Sequence, residues 1–156
     1  MVEIVRAEEK HFSELGEVWK EFMDFHSRID PYLTRKSDGD VIFLNYLREI
    51  LSKPDENLLL VALDDGHVVG YSLSTVAKHA PVFEQQAYGL ISDVAVASTH
   101  RRMGVGEGML SEIIKWFYSK GINRVELNVL HGNPLGGPFW KKHGFKDNMH
   151  RVYRDI

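Results

Sequence analysis

The stretch LISDVAVASTHRRMGVGEGMLSEIIKWF, Leu90 to Phe117, decides the reading of this chain, because it joins an apolar strand to an amphipathic helix through a basic, glycine-spaced turn. Gly104, Gly106 and Gly108 stand at alternate positions, where the absence of side chains lets a ligand approach the backbone N–H groups that open the helix. Those groups carry the positive end of the helix dipole. Arg101 and Arg102 place full charges beside them, so the natural guest is a phosphate or pyrophosphate.

Spacing decides between phosphate loops. The P-loop needs four residues between its glycines followed by Lys and Ser or Thr, and no such sequence occurs. The dinucleotide fingerprint GxGxxG would need glycine where Met109 stands, although Glu126 lies about where a ribose-binding acid would be expected. The pattern satisfied is Q/R-x-x-G-x-G/A, by Arg101, Gly104 and Gly106. In this the chain resembles the GNAT superfamily of N-acetyltransferases, whose hallmark is such a loop around the pyrophosphate of acetyl-coenzyme A.

Neighbouring segments extend the resemblance to nearly the whole chain. SDVAV, with Asp93, is similar to the family's D-[LV]-A-V strand, and FWKKHGF, Phe139 to Phe145, to its L-Y-x-K-x-G-F segment. Asn133 falls where the family often has asparagine. The opening EIVRAEEKHFSEL resembles I-R-x-A-x-x-x-D, and LLLVALDDGHVVGYSL resembles the usual second and third strands.

Composition agrees with a single domain over residues 1–156: one core is expected at this length, with 44% hydrophobic and 26% charged residues. A net charge of −3 argues against a general nucleic-acid or anionic-membrane role, which usually shows as a basic excess. Without cysteine there is no disulfide framework, thiolate metal site or acyl-cysteine intermediate. The eight histidines show neither HxxxH nor HxH spacing, so no metal is expected. MVEIVRAEEKHF carries acids where a signal peptide would be apolar, and LLLVAL is too short to span a bilayer, so a cytoplasmic protein is expected.

Periodicity gives the elements. Val2 to Arg6 reads as a strand, and Phe12, Leu15, Val18, Trp19, Phe22 and Met23 form the buried stripe of a helix from Glu8 to about Asp24. His26 to Gly39 reads as a loop, and Asp40 as the N-cap of a helix whose face is Val41, Leu44, Leu47 and Leu51. A hairpin turning at Asp65-Gly66 joins Asn57–Leu63 to His67–Val76, and a strand follows from Tyr88 to Ala97. Met109, Leu110, Ile113, Ile114 and Phe117 line a helix that ends at Gly121. Ile122 to Leu130 alternates as a strand, Asn133-Pro134 resembles a helix start delayed by Gly136 and Gly137 to about Pro138, and Phe145 to Ile156 supplies the last strand or strand pair. The sum is an α/β fold, a GNAT-like mixed sheet of six or seven strands with helices on both faces.

The resemblance implies acetyl transfer from a coenzyme A thioester to an amine. Val94, Ala95 and Val96 would hold the pantetheine through main-chain bonds, with an N–H near Val94 stabilising the oxyanion. Arg101, Arg102, Met103, Gly104, Val105, Gly106 and Glu107 would wrap the pyrophosphate, with Asn133 and Trp140 beside the cofactor. The residues themselves also allow simpler roles: a buried strand for Val94 to Val96, a helix cap for Asn133. His26 would line the acceptor pocket, with Asp24 and Asp30 suiting a cationic amine.

A lysine-type amine, with a pKa of about 10.4, must lose a proton before it attacks. Relatives that use a strand glutamate place it at positions matching Leu90 or Ser92, and neither residue here can do that work; Ser92 remains a substrate-side residue. Strand alternation points Asp93 away from the face of Ser92 unless a bulge intervenes, which makes Asp93 structural. Glu126, Asn128 and His131 are the candidates to polarise a proton-carrying water. Trp140 stands where many relatives have the tyrosine that protonates the thiolate, and indole gives up no proton. The alternative reading is a non-catalytic acyl-CoA-binding sensor domain. Relatives are often homodimers, and MHRVYRDI suits an edge strand that pairs with a partner's strand.

Overall fold

The computed structural model describes residues 1–156. Five strands form one mixed sheet in the order β1-β2-β3-β4-β5: β1 (Val2–Arg6), β2 (Asn57–Asp64), β3 (His67–Lys78), β4 (Ala87–Val96) and β5 (Val125–Leu127). The first four run antiparallel to their neighbours, and β5 runs parallel to β4. The β2–β3 turn is Asp65-Gly66 as expected, both residues at positive φ, the pairing that matches the strands' twist.

Helices α1 (Phe12–Ile29) and α2 (Gly39–Leu51) cover one face, and α3 (Val105–Ser119) and α4 (Gly136–Lys142) the other. β2 is apolar on both sides because it is buried on both: Leu59 and Val61 pack under α1 and α2, Leu58 and Leu60 under α3. The helical stripe read from the sequence is the buried face of α1, with Phe12, Leu15, Val18 and Trp19 inside and Phe22 and Met23 closing its edge.

Five expectations are corrected. The sheet has five strands and not six or seven, because Phe145 to Ile156 forms no strand: residues 146–156 lie exposed with Met149, Val152, Tyr153 and Ile156 unpacked. α1 continues to Ile29, so His26 sits in its last turn and not in a loop. α2 begins at Gly39 after Asp38, so Asp40 lies in its first turn and is not its N-cap; Val41 points to solvent, while Phe43 and Ile50 join Leu44, Leu47 and Leu51 against the core. The strand expected over Ile122 to Leu130 is paired only from Val125 to Leu127, because the chain leaves β4 there.

The last point shapes the molecule. β4 bonds to β5 only at Gly89, Leu90 and Ile91, while its pairing with β3 runs on to Val96. From Ser92 onward its second edge has no strand, and a cleft opens between β4 and the chain that follows β5.

Candidate active site

At the mouth of that cleft β4 carries a bulge. Leu73 of β3 faces Asp93 and the adjacent Ser74 faces Ile91, so Ser92 is the extra residue. Backbone bonds agree: Gly89 N–H donates to Arg124 on the β5 side (2.8 Å), whereas Ala97 N–H donates to Val69 on the β3 side (2.8 Å). Alternation back from Ala97 turns the N–H groups of Val96 and Val94 to the open edge. The parity of Gly89 and Val94 differs, as one inserted residue requires.

The bulge also sets the placement of Asp93. Ile91 and Val94 face α3, Ala95 faces α1, and Asp93 lies with Ala95 on the α1 side, where it accepts a hydrogen bond from Tyr71 Oη at 3.0 Å. Burial pushes the Asp93 carboxyl above the usual carboxylate range, against the pull of the Tyr71 bond and of the nearby His26 imidazole. Tyr71, fully buried beside this carboxylate, is held well above the ordinary phenol range and stays protonated. Ser92 is exposed at the cleft.

His26 is half-buried, its Nδ1 2.8 Å from the Phe22 carbonyl and its ring edge-on to Phe22 (4.4 Å) and Phe25 (5.5 Å). The acids expected to help it recognise a cation are engaged elsewhere: Asp24 pairs with Arg35 at 2.9 Å, and Asp30 accepts from Tyr32 N–H at 3.1 Å.

The glycine turn has two kinds of glycine. Gly104 takes φ +78 just before α3, and a β-carbon there would meet nothing within 4 Å, so the space beside the first helical N–H groups is open. Gly106 faces that region too, with Phe139 3.4 Å from the position of a β-carbon. Gly108 serves packing instead: its β-carbon would stand 2.7 Å from Ile4 of β1, so it lets the helix approach the sheet. Arg102 (φ 60) and Met103 are exposed, Val105 is buried, and Glu107 lies exposed in the helix's first turn. Arg101 is drawn toward α1, 3.5 Å from Glu21 and 5.4 Å over the Phe25 ring.

Of the three residues proposed to hold water, one is engaged by neighbours and two are exposed. Glu126 is 3.1 Å from Arg124 and 3.8 Å from His79, while Asn128 and His131 are exposed beyond the end of β5. Asn133 Oδ1 caps the start of α4, accepting from Leu135 N–H (3.0 Å) and Gly136 N–H (2.8 Å). Trp140 is half-buried, edge-on to Phe139 and Phe145. A surface depression lies elsewhere, along α1 between Glu14 and Arg35, and its Lys20–Glu17, Arg35–Asp24 and His67–Glu14 pairs are satisfied among themselves. No three His, Asp or Glu side chains gather in metal-binding geometry, and no helix is long and apolar enough to cross a membrane.

The family model of the Acetyltransferase (GNAT) family matches residues 17–145, most of the chain and all of this cleft. The chain belongs to the GNAT acetyltransferase family. The glycine turn and the parted strands of this GNAT domain suit acetyl-coenzyme A as its co-substrate. No curated protein matches it in sequence. Among solved structures it is similar to a transcriptional regulator from Bacillus halodurans C-125, at 20% identity over 100% of both chains with a TM-score of 0.80. It is similar to a predicted acetyltransferase with acetyl-CoA from Clostridium acetobutylicum, at 20% identity over 99% of this chain and 96% of that one, TM-score 0.78. It also resembles the aminoglycoside 6'-N-acetyltransferase AAC(6')-IG of Acinetobacter haemolyticus, at 17% identity over 99% and 97% of the two chains, TM-score 0.77. At these identities the likeness is one of fold.

Proposed function

We propose that this GNAT domain moves an acetyl group directly from the thioester of acetyl-coenzyme A to a primary amine of a small molecule or peptide. The observation that carries the reading is the free edge of β4 from Ser92 to Val96, opening beside the glycine turn at the start of α3. A pantetheine arm is an extended chain with amides, and it would add to the main chain of Val94, Ala95 and Val96 as a strand would. The outward N–H of Val94 would donate to the thioester carbonyl oxygen as negative charge develops on it. The pyrophosphate would take the open N–H groups of Val105, Gly106 and Glu107, with Arg101, Arg102, Met103 and Gly104 wrapped around it. Asn133 and Trp140 would border the arm.

The leaving group needs little help. A thiol ionises at a pKa of about 8.5, so its thiolate departs without an acid, and Trp140 in place of a tyrosine is compatible with turnover. The amine's proton is the harder problem. The β5 wall offers a water held by Glu126, Asn128 and His131, but Glu126 already serves Arg124 and His79. The α1 wall, with Asp93 and His26, is better built.

The AAC(6')-IG likeness makes aminoglycosides reasonable members of a first panel of acceptors, beside polyamines and lysine peptides. We further propose a cytoplasmic homodimer without a nucleic-acid partner. The exposed apolar residues Met149, Val152, Tyr153 and Ile156, which form no strand in the single chain, would become one on the sheet of a second copy. Light scattering on the intact chain and on one ending at Asn148 tests the dimer; a monomeric mass for the intact chain at micromolar concentration refutes it. Thiol release from acetyl-coenzyme A across the panel, with mass spectrometry of the amine, tests the reaction. Tight binding of acetyl-coenzyme A with no acetylated amine would replace it with the sensor reading.

A further inference from the structure

Two titratable groups on the α1 side of the cleft have no part in holding the cofactor, and both are oriented. Asp93 Oδ2 is occupied by Tyr71 at 3.0 Å, while Oδ1 has no protein partner. The Tyr71 hydroxyl is fully buried, so its proton is committed to this bond and fixes the carboxylate at the point where β4 and β5 part. His26 is held as firmly. A backbone carbonyl only accepts, so the 2.8 Å contact to Phe22 puts the hydrogen on Nδ1 and leaves Nε2 of the neutral ring with a free lone pair.

The Phe22 ring lies edge-on both to the His26 imidazole (4.4 Å) and to the ring of Tyr71 (6.4 Å), whose hydroxyl holds Asp93, so imidazole and carboxylate belong to one wall. The other charged or titratable groups around the imidazole are Tyr71 on β3, and Arg28 and Arg101, both set over the Phe25 ring at 5.8 and 5.4 Å. On the same helix Asp24 is closed on Arg35. From the chain after β5, the turn at Gly132 reaches Ile29, which brings His131 to the same end of α1.

We propose that, in the acetyl transfer read above, Asp93 Oδ1 receives the incoming ammonium and His26 Nε2 takes its proton. A carboxylate paired with a cation and a neutral imidazole with one fixed hydrogen divide the two tasks, binding and deprotonation, between two groups suited to them. The ammonium gives one proton to Nε2 and becomes a neutral amine. Its lone pair forms the C–N bond to the thioester carbon, and the C–S bond breaks with its electron pair on sulfur. The second nitrogen proton goes to the thiolate, directly or through solvent, and His26 returns the first to water. The products are the amide, coenzyme A thiol and one released proton.

The test is a pH profile of kcat and amine KM with the panel amine that releases most thiol, for the wild type, His26→Asn, His26→Gln, Asp93→Asn, Glu126→Gln and His131→Ala. Asparagine keeps a donor for the Phe22 carbonyl, and glutamine is the second variant should asparagine unfold; acetyl-coenzyme A affinity by calorimetry shows that each variant retains its fold. In the wild type kcat falls on the acid side as an imidazole protonates. The His26 variants should lose about 100-fold in kcat and that acid limb with it, at nearly constant KM. Asp93→Asn should keep the limb and raise amine KM about tenfold. An acid limb unchanged in both His26 variants, or one that disappears with Glu126→Gln or His131→Ala instead, overturns the assignment while leaving acetyl transfer standing. Silence of the wild type across the panel overturns both.

Discussion

The two halves of β4 come from one apolar run and end in different roles. Gly89 to Ile91 is closed on both sides, by β3 and β5, with Ile91 packed on α3 and the Phe117 ring of α3 against Gly89. Ser92 to Val96 keeps β3 but loses β5, so it leaves N–H groups unpaired on its open edge and carries a carboxylate held by Tyr71. A single inserted residue, Ser92, separates them. An open edge inside a domain is a liability that strands normally cover, so leaving it open beside a helix N-terminus is what a ligand that pairs like a strand requires.

Proline substitution tests the open half most severely. Val94→Pro removes an N–H that no strand uses, so the sheet should survive, while thiol release should fall by about 100- to 1,000-fold. Steady-state turnover beside a circular-dichroism melt checks both parts; retained turnover would remove Val94 from the oxyanion role.

At the turn that completes the open half, Gly106→Val should weaken acetyl-coenzyme A binding by more than about tenfold in calorimetry. Phe139 stands 3.4 Å from the β-carbon position, so overpacking should also cost about 1–3 kcal/mol in urea unfolding. Gly106→Ala separates the effects, since it adds only the β-carbon. Unchanged affinity in both variants would break the link between open edge and turn.

The closed half should show the reverse. A β-carbon at Gly89 would stand 2.8 Å from the Phe117 ring, so Gly89→Ala should destabilise by about 1–3 kcal/mol and leave cofactor affinity nearly intact. A variant of full stability with impaired binding would erase the distinction between the halves.

The smallest effects lie across β3, where Ser74 faces Ile91 of the closed half and Ser72 faces Val94 of the open one. Both hydroxyls are buried without a partner, so Ser72→Ala and Ser74→Ala should each raise stability by up to about 1 kcal/mol. Loss of stability in Ser72→Ala alone would sharpen the comparison by tying that hydroxyl to the open half. Asp93→Asn has a worked sign as well. Its folded-state pKa is raised above the unfolded value, so the charged form costs stability as pH rises through that range, and removing the charge should raise the melting temperature at neutral pH. A lowered melting temperature would return Asp93 to a packing role.

Local pattern made most of the fold readable. The stripe of α1, the Asp65-Gly66 turn and the basic glycine turn before α3 each follow from neighbours within a few residues, and the family resemblance followed from the last of these. Gly104 was legible as a loop glycine because a charged turn precedes it, whereas Gly108 looked the same in sequence and proved to be the contact with Ile4. His26 was singled out as a candidate, but its fixed tautomer depends on α1 running on past Asp24.

The chain by itself determined most of the strands and helices, though not the fate of the segment after Phe145 or the end of α1, and that a basic glycine turn joins β4 to α3, because hydrophobic period, glycine and charge act over short separations. Tertiary structure decided the rest. Whether Ser92 bulges depends on its register against β3, how far β5 runs depends on where it leaves β4, and whether Arg101 meets α1 depends on Glu21 and Phe25, far away in sequence. Alternation along a single strand predicts faces only while each residue has one partner, and one unpaired residue, Ser92, broke that alternation just before Asp93.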